Sequence, residues 1–216
     1  MLRLAVACAV VLSTSAAFAT TGGPTEIDLL GYDAKDHKLY FVETHHDESG
    51  RMPQIYFVRT AGARIGKIVR VASIQRGVVG SPDPDGVLGA RVDKLRKRLE
   101  TLPPLGGEPQ RDDDAHGRIS DRVGRALGLT RKRTGTERVP DLDESPHACA
   151  VVELGLTHGE RSGQLELREC YPGSSGVVSA YAIPDNSATF VVVSSRPDLH
   201  ELGYAIERPL LLVRVP

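Results

Sequence analysis

Three short runs of residues contain the side-chain types that bind metal ions or phosphate. Residues 45–48 read His-His-Asp-Glu, but neighbouring residues of a strand point to opposite faces, so both histidines suit one ion only where the strand has ended. Residues 62–68 read Gly-Ala-Arg-Ile-Gly-Lys-Ile, which is short for a phosphate loop and has isoleucine where magnesium needs a hydroxyl. Residues 112–114 are aspartates without the alternating ligands and glycine of a calcium loop. We therefore predict a solvated loop at the first place, a turn at the second, and neither metal nor cofactor.

The sequence places no catalytic nucleophile by motif. Residues 173–176 read Gly-Ser-Ser-Gly, which lacks the Gly-x-Ser-x-Gly spacing of a nucleophile elbow and is typical of a turn. No Ser/His/Asp set and no carboxylate pair is placed by motif either, and one sequence does not show which side chains converge in space. The sequence therefore favours a non-enzymatic binding or structural module of unknown ligand. The alternative is a hydrolase whose active site the sequence does not identify.

Two kinds of surface would separate these functions. A cleft with a convergent set of His, Asp or Glu side chains and shifted protonation would favour the hydrolase. An open sheet edge or a basic face without such a cleft would favour the module.

The first 19 residues have the layout of a cleavable secretory signal. Arg3 precedes an apolar run, and the stretch ends in small residues at Ala17-Phe18-Ala19. The apolar run is too short, and too rich in Ser and Thr, for a membrane span. We predict a signal at 1–19, export to the periplasm or the medium, and a single β-rich domain at 20–216 with no transmembrane segment after cleavage.

Cys149 and Cys170 are the two cysteines outside the predicted signal. An even pair in an exported chain indicates a disulfide, and the alternative is two separate buried thiols. A β-hairpin whose loop is Gly159-Glu160 sets the two cysteines directly opposite each other, since glycine at the first loop position suits a type II′ turn. The sequence therefore predicts a disulfide across neighbouring strands.

The same register arranges the rest of this hairpin. It pairs Val152 with Leu167 on a continuous apolar face, and a slip of one residue would scramble that face. The cysteines then lie on the other, polar face. On that face Glu153 meets Glu166, an unfavourable pair that Arg168 relieves from the diagonal position if the face is wet. The alternative for these carboxylates is a buried pair that shares a proton or binds a cation.

A basic stretch occupies the middle of the chain. Residues 87–138 carry 13 lysines and arginines against 8 acidic residues, although the whole chain has a net charge of −1. Apolar residues at helical spacing predict a helix over 87–102 with Asp85 as its N-cap. A weaker helix is predicted at about 120–127, and 131–146 is predicted to lack regular structure. We describe 87–138 as a helical, basic insertion.

One face of the first helix carries Arg91, Lys94 and Arg98. These side chains suit contact with an anionic surface such as lipid headgroups or polysaccharide. The alternative is a solvated face of a helix whose other face packs on the sheet. Nucleic acid is disfavoured, because no aromatic residues interleave the basic ones to offer stacking. The partner is otherwise unknown, and another envelope protein is one candidate.

Most of the remaining chain has the apolar patterning and turn chemistry of strands. The predicted strands are 26–32, 37–44, 54–60, 67–74, 148–156, 164–171, 177–183, 188–195 and 206–215. No aromatic residue lies between 58 and 170, so we expect the two ends of the chain to build the core. The predicted fold is mostly β, an antiparallel sheet or a partial propeller-like framework, with one or two helices inserted in its middle.

The two ends also resemble each other. Residues 31–42 align without gaps on 180–191, and 55–59 align on 210–214. Each copy reads as a strand, a tight turn, a strand, a longer polar loop and a strand. The pattern is consistent with an internal duplication of one supersecondary unit or with the chance similarity of two strand patterns.

The turns of these units resemble those of TolB-type propeller repeats, which read Ser-Pro-Asp-Gly-Lys before an apolar strand. Pro184-Asp185-Asn186-Ser187 matches the Pro-Asp part, and Lys35-Asp36-His37-Lys38 matches the aspartate and the final lysine. The whole chain is similar to predicted secreted bacterial proteins of unknown function that have such units at both ends. The resemblance implies export and a β framework, and it implies no reaction.

Overall fold

The computed structural model describes residues 23–46, 50–78, 80–107, 123, 126–139, 147–170, 174–185, 187–196 and 204–214. Outside them lie the predicted signal, the three aspartates at 112–114 and most of the second predicted helix. The first half contains β1 Thr25–Asp33, β2 Lys38–His45, β3 Gln54–Arg59, β4 Ile68–Arg70, α1 Ala72–Gln75 and α2 Pro84–Arg96. The second half contains β5 Gly128–Val139, β6 His147–His158, β7 Arg161–Glu169, β8 Gly176–Ala182, β9 Ala188–Ser195 and β10 Ile206–Arg214. The predicted class, mostly β with few helices, is confirmed.

The strands hydrogen-bond in the order β4-β3-β2-β1-β10-β7-β6-β5, with β9 also on β10 and β8 on β9. All these pairs are antiparallel except β1 with β10. Strand β10 is the junction. It pairs with β9 along its length, meets β1 where it begins and meets β7 where it ends.

Strands β8 and β9 are buried on both faces. Tyr181, Phe190 and Val192 pack in one apolar cluster with side chains of β1, β2 and β3. Val191 and Val193, which alternate with them, pack in a second cluster with side chains of β6 and β7. This position explains why β9 is a continuous apolar run rather than an alternating one.

Aromatic side chains from the two ends of the chain meet in the first cluster. The ring centres of Phe41 and Phe190 are 5.5 Å apart, and those of Tyr181 and Phe190 are 6.5 Å apart. Tyr56 stacks on Phe41 at 5.5 Å. Contacts of this kind add to the area that each ring buries. The expectation that both ends build the core is therefore confirmed.

The helix α2 covers the opposite face of the β1–β4 sheet. Its Leu88 and Leu95 are buried, and Leu95 packs in a third cluster with Leu30, Tyr40 and Ile55. The helix begins one turn earlier than predicted, since the side chain of Asp83 caps it at the backbone N–H of Gly86 (3.0 Å).

The helix also ends earlier than predicted, at Arg96 rather than residue 102. The physical reason lies at Glu100, whose backbone N–H and C=O both bond to the backbone of Tyr32 at 2.8 and 2.9 Å. Those groups are then unavailable to a continuing helix. The segment after α2 therefore runs alongside β1 and goes on to β8, where Leu105 donates its N–H to the Ala180 carbonyl (2.7 Å).

Gly31 allows this close approach to β1. It follows the β-bulge of the strand and has a φ of +140°, and a Cβ built there would lie 2.8 Å from both the Glu100 carbonyl oxygen and the Leu99 Cβ. We expect Gly31→Ala to lower the free energy of unfolding by about 1–3 kcal/mol or more, because backbone strain and a clash with the backbone add. Urea unfolding followed by circular dichroism measures the change.

Gly89→Ala is the matched control for this prediction. Gly89 lies inside α2, and nothing lies within 4 Å of a Cβ built on it. Alanine is expected to stabilise the chain there by about 0.5–1 kcal/mol, because it lowers the entropy cost of a helical residue. A Gly31→Ala variant as stable as the wild type would contradict the packing of residues 99–100 on β1.

Two segments differ from the prediction. Residues 131–146 were expected to lack regular structure, but 128–139 form β5, which pairs with β6 from Gly128↔Thr157 to Val139↔His147. Residues 67–74 were expected to be one strand, but β4 ends at Arg70 and α1 follows. The basic insertion therefore contributes a helix and an edge strand rather than helices alone.

The two ends of the chain share part of their strand pairing. Phe41 pairs with Tyr56 on β2 and β3, and the aligned Phe190 pairs with Leu211 on β9 and β10. The aligned pairs Leu39↔Val58, Tyr40↔Phe57 and Val42↔Ile55 have counterparts in Ala188↔Val213, Thr189↔Leu212 and Val191↔Leu210. The first hairpins differ, since Tyr32 pairs with Leu39 seven positions on, whereas Tyr181 pairs with Phe190 nine positions on.

Candidate functional site

The three basic residues predicted on α2 lie in different surroundings. Arg91 donates from one guanidinium nitrogen to the carbonyls of Ile74 (2.6 Å) and Arg76 (2.8 Å), which ties α2 to the α1 region. Arg98 follows the end of the helix, and its guanidinium lies 5.9 Å from the centre of the Tyr40 ring. Lys94 is exposed. Two of the three cations therefore have intramolecular roles, and contact of this face with an anionic surface stays a prediction.

The histidines of the run at 45–48 bond to different carboxylates. His45 bonds through Nε2 to Glu43 (2.8 Å), and through Nδ1 to the Thr25 hydroxyl (3.1 Å). His46 lies 3.2 Å from Glu26. Within the described residues, no group of three or more His, Cys, Asp and Glu side chains is arranged to hold a metal ion.

The glycine-rich runs serve as connections. Residues 62–66 form the turn between β3 and β4, closed by the Gly66 N–H on the Arg59 carbonyl (2.8 Å). Of the run at 173–176, Ser174 and Ser175 lead into β8, and Ser175 donates its backbone N–H to Glu169 (3.1 Å).

A small cleft opens between β1, β8 and the segment after α2. Its volume is about 170 Å³. It is lined by Leu29, Leu30, Gly31, Thr101, Leu102, Pro104 and Tyr181. The lining offers one hydroxyl from threonine and one from tyrosine, and otherwise apolar surface and backbone. This cleft has the chemistry of a gap between packed layers rather than of an acid–base site.

A polar cluster joins the turn after β1 to the turn after β8. The Tyr32 hydroxyl donates to Asp185 (3.2 Å), and it lies 3.2 Å from Nδ1 of His37 and 3.5 Å from the Thr60 hydroxyl. Burial raises the pKa of Tyr32 above its usual value, so the phenol stays protonated and donates. Burial also acts to raise the pKa of Asp185, but hydrogen bonding by Ser187 and Tyr32 and the nearby His37 outweigh it, so the pKa is lowered. A charged carboxylate held by a neutral phenol therefore ties the two turns together.

His158 ends β6 at the same hairpin whose loop is Gly159-Glu160. Its Nδ1 is hydrogen-bonded to the buried Thr189 hydroxyl at 2.8 Å. Burial, and to a smaller extent the charge of Arg161, lower the pKa of His158 below 6.5. The folded state therefore holds this imidazole neutral at pH values where the unfolded chain protonates it.

The lowered pKa predicts how stability depends on pH. Above pH 6.5 the imidazole is neutral in both states and contributes no pH dependence. Below pH 6.5 the unfolded state binds the proton first, so the free energy of unfolding falls by up to about 1.4 kcal/mol per pH unit until the folded state is protonated too. Urea unfolding between pH 7.5 and 5 should show this fall for the wild type relative to His158→Gln.

The comparison of the two chains isolates this imidazole, because every other titratable group is common to both. A wild-type chain and a His158→Gln chain that lose stability in parallel over the whole range would contradict the assignment.

The disulfide predicted from the sequence is present between Cys149 and Cys170, with Cα atoms 4.2 Å apart. The hairpin register is also as predicted, with His158 opposite Arg161 and Val152 opposite Leu167. One feature differs, since Cys149 is fully buried although it lies on the face predicted to be polar. Its neighbours across the sheet are Glu137 of β5 on one side and, through the disulfide, Cys170 on the other.

The two glutamates that face each other on this hairpin do not form a buried pair. Glu153 lies opposite Glu166 as predicted, but Glu166 is exposed, and Lys132 of β5 lies opposite Glu153 on the other side. Arg168, expected to relieve the pair, instead bonds Glu137 of β5 (2.8 Å). A basic strand therefore compensates the acidic face of β6 and β7.

A buried carboxylate that the sequence did not single out lies at the end of β7. Glu169 is 2% exposed, and it accepts hydrogen bonds from the backbone N–H and hydroxyl of Ser175 and from the guanidinium of Arg131. The ion pair links β5 to β7, and the serine links β7 to the start of β8. The sequence could have predicted this burial from the position of Glu169, because the alternation of Leu165 and Leu167 continues to Glu169 on the core face.

Strand β5 is the most exposed strand that the structure describes. Every described side chain from Thr130 to Arg138 is exposed except Gly135. Four of these residues are cations and one is an anion. Arg131 is committed to Glu169, and Glu137 to Arg168. Lys132, Arg133 and Arg138 remain as cations that no carboxylate within the described residues pairs with.

The outer edge of β5 carries no further strand within the described part of the chain. At 12 residues, it is far longer than β4, the three-residue strand at the opposite edge of the same sheet. Natural proteins commonly protect edges by making them short or by placing charges on them. Strand β5 has the charges and a long edge.

None of the helices in the described ranges has the length and apolar character that crossing a membrane requires. Comparison with known proteins found no matching family model, no matching curated protein and no matching solved structure.

Proposed function

We propose that the chain is an exported, non-enzymatic binding module that contacts its partner through β5. The observation that carries the proposal is a strand of 12 residues with an open edge, exposed side chains and an excess of cations. No carboxylate within the described residues forms an ion pair with Lys132, Arg133 or Arg138, and Arg133 bonds only a carbonyl and a hydroxyl of its own strand, so these charges are available to a partner. The partner's binding surface is accordingly anionic.

Two observations support a module over an exported hydrolase. The cleft between β1 and β8 has no His, Asp or Glu among its lining residues. The Tyr32, His37 and Asp185 cluster holds a protonated phenol and an ionised carboxylate that bond to each other. None of these three residues lines the cleft, whereas general acid–base or nucleophilic catalysis needs such groups beside a bound substrate.

Export and duplication are parts of the same proposal. A disulfide is typical of oxidising compartments, which agrees with the signal-like residues 1–19. N-terminal sequencing of the exported protein should begin at or near Thr20, and a retained Met1 would contradict export.

The register shared by the last two strands of each unit supports an internal duplication of a blade-like unit similar to TolB-type repeats.

The experiment compares two charge-reversed variants of the chain beginning at Thr20. One carries Lys132→Glu, Arg133→Glu and Arg138→Glu. The control carries Lys94→Glu and Arg96→Glu on exposed positions of α2 and Lys97→Glu at its C-cap. Both change the net charge equally. The probe is a labelled 12-residue peptide that repeats Glu-Glu-Thr-Thr, which has carboxylates on both faces when it is extended. It is titrated at low salt and followed by fluorescence anisotropy.

We expect the β5 variant to bind this peptide about tenfold more weakly than the wild type or worse, from three exposed pairs of about 0.5 kcal/mol each. The α2 variant should keep most of the affinity. Loss of affinity for the peptide in the α2 variant alone would place the binding surface on the helix face instead. Equal affinity of all three chains would overturn the proposal.

A further inference from the structure

We propose that β5 binds an extended acidic segment of a partner protein by strand addition, with the segment's backbone pairing along the open edge. This inference rests on the proposed function of the same strand. It adds the mode of binding and the chemical class of the partner. The mode follows from where the backbone groups of β5 point, and the class from where its charges lie.

The direction of the β5 backbone follows from the hairpin beside it. The two-residue loop after β6 makes His158 and Arg161 the closing hydrogen-bonded pair, so alternate residues from His158 back along β6 bond to β7. The residues between them, such as Gly155 and Glu153, therefore turn their backbone toward β5. Their partners are Thr130 and Lys132.

The other residues of β5 turn their backbone groups outward. Counted through the bulge between Arg133 and Gly135, the outward set is Leu129, Arg131, Arg133, Thr136 and Arg138. Side-chain contacts agree with this assignment, since the Thr130 hydroxyl bonds the Gly155 carbonyl (3.3 Å), which must face β5. No described strand pairs with these five residues, so they offer N–H and C=O groups at strand spacing, which is the template that an added strand uses.

The charges of β5 favour a strand over a flat anionic surface. Arg133 lies opposite Val152 and Arg138 opposite Ala148, on the face of the sheet that holds the apolar cluster. Lys132 lies opposite Glu153, on the other face. A membrane or a flat polymer contacts one face at a time, whereas a strand at the edge places its side chains beside cations on both faces.

A second copy of this chain is a poor occupant for the edge. Two β5 strands side by side would bring their cations together, and like charges on neighbouring strands are destabilising. A segment with carboxylates on both faces has the opposite effect. The basic residues therefore both prevent pairing of identical copies and select an acidic strand.

The test uses wild-type chain beginning at Thr20 and the Glu-Thr peptide, with amide hydrogen exchange read residue by residue by NMR. At saturation, the exchange rates of the amides of Arg131, Arg133 and Arg138 should fall at least about tenfold, because these amides become hydrogen-bonded. Those of Thr130 and Lys132, already bonded to β6, should change little. The control peptide has proline in place of threonine, which keeps the charge and removes half of the N–H groups on each edge of the segment.

A pair of variants tests the same point through affinity. Thr136→Pro removes an outward N–H, whereas Thr136→Ala removes the same side-chain hydroxyl, which accepts a bond from Arg133 (2.7 Å), and keeps the N–H. We expect the proline variant to bind the peptide about fivefold to tenfold more weakly than the alanine variant. Unchanged far-ultraviolet circular dichroism of both variants shows that they fold. If the proline variant does not fold, the hydrogen-exchange data on the wild-type chain decide whether the peptide adds as a strand.

The outcomes separate strand addition from the proposed function itself. Equal binding of both peptides, with no slowing at Arg131, Arg133 and Arg138, overturns strand addition and leaves a side-chain contact through β5. Tighter binding to vesicles containing anionic lipid than to the peptide would make a membrane the partner and overturns this inference too. Binding that survives charge reversal of β5 would overturn the proposed function.

Discussion

Replacing Arg131 with alanine is expected to lower the free energy of unfolding by about 3 kcal/mol. The substitution leaves Glu169, whose side chain is 1% exposed, as a buried carboxylate with hydrogen bonds from Ser175 and no cation. Removal of one partner from a buried ion pair typically costs about 3–5 kcal/mol, and the one-third exposure of Arg131 favours the lower end. Urea unfolding of the disulfide-intact protein measures the change.

Two further variants isolate the ion pair. Lys132→Ala removes a neighbouring cation from the opposite face of the same strand and is expected to stay within about 0.5 kcal/mol of the wild type. The double variant Arg131→Met with Glu169→Leu removes both charges and should recover much of the loss, because no buried charge is left. An Arg131→Ala chain as stable as Lys132→Ala would contradict the role of this pair.

Loss of the disulfide has the second large effect. Changing Cys149 and Cys170 together to alanine is expected to lower the free energy of unfolding by roughly 3 kcal/mol, since the bond closes a loop across a sequence separation of 21. The effect arises mainly because the unfolded chain regains conformational freedom. Alanine avoids leaving a hydroxyl at the fully buried position 149.

Reduction of the wild type provides an independent measurement of the same quantity. A reducing agent should bring the wild type close to the double variant and leave the double variant unchanged. Non-reducing peptide mapping must find the two cysteine peptides linked in the untreated protein. Two free thiols, or a double variant that unfolds at the wild-type urea concentration, would contradict the expectation.

The hairpin of β6 and β7 shows what the sequence determines well. Its register follows from three local features: a glycine at the first loop position, an apolar face and two cysteines at matching distances from the turn. Each of them supports the same pairing, and the structure has it. The core was predictable for a related reason, since the aromatic residues occur only in segments that must meet.

Strand β5 shows where prediction from the sequence fails. Its residues Arg131 to Arg138 are polar or glycine, so no alternation of apolar and polar residues marks a strand. Pairing with β6 and ion pairs to β7 stabilise it, and both depend on residues far along the chain. The end of α2 fails for the same reason, because the backbone of Tyr32 competes for Glu100 from 68 positions away.

In the candidate site too, the features set by local residues were predictable and those set by distant residues were not. Lys94 and the other α2 cations were visible as a helical face, but the sequence did not show that Arg91 is used to hold α1 and that Arg98 lies over an aromatic ring. The basic composition of residues 87–138 was visible as well. Its placement on the outer edge of the described sheet follows only from the tertiary pairing of β5, and the binding role that we propose rests on that placement.

The most direct test of the account is an amide NMR titration of wild-type chain beginning at Thr20 with the Glu-Thr peptide. The account predicts that the largest chemical-shift changes fall on residues 128–139 of β5 and on neighbouring positions of β6, whereas α2 at residues 84–96 changes little. Shifts centred on α2, or on the cleft between β1 and β8, would contradict the assignment of β5 as the binding surface.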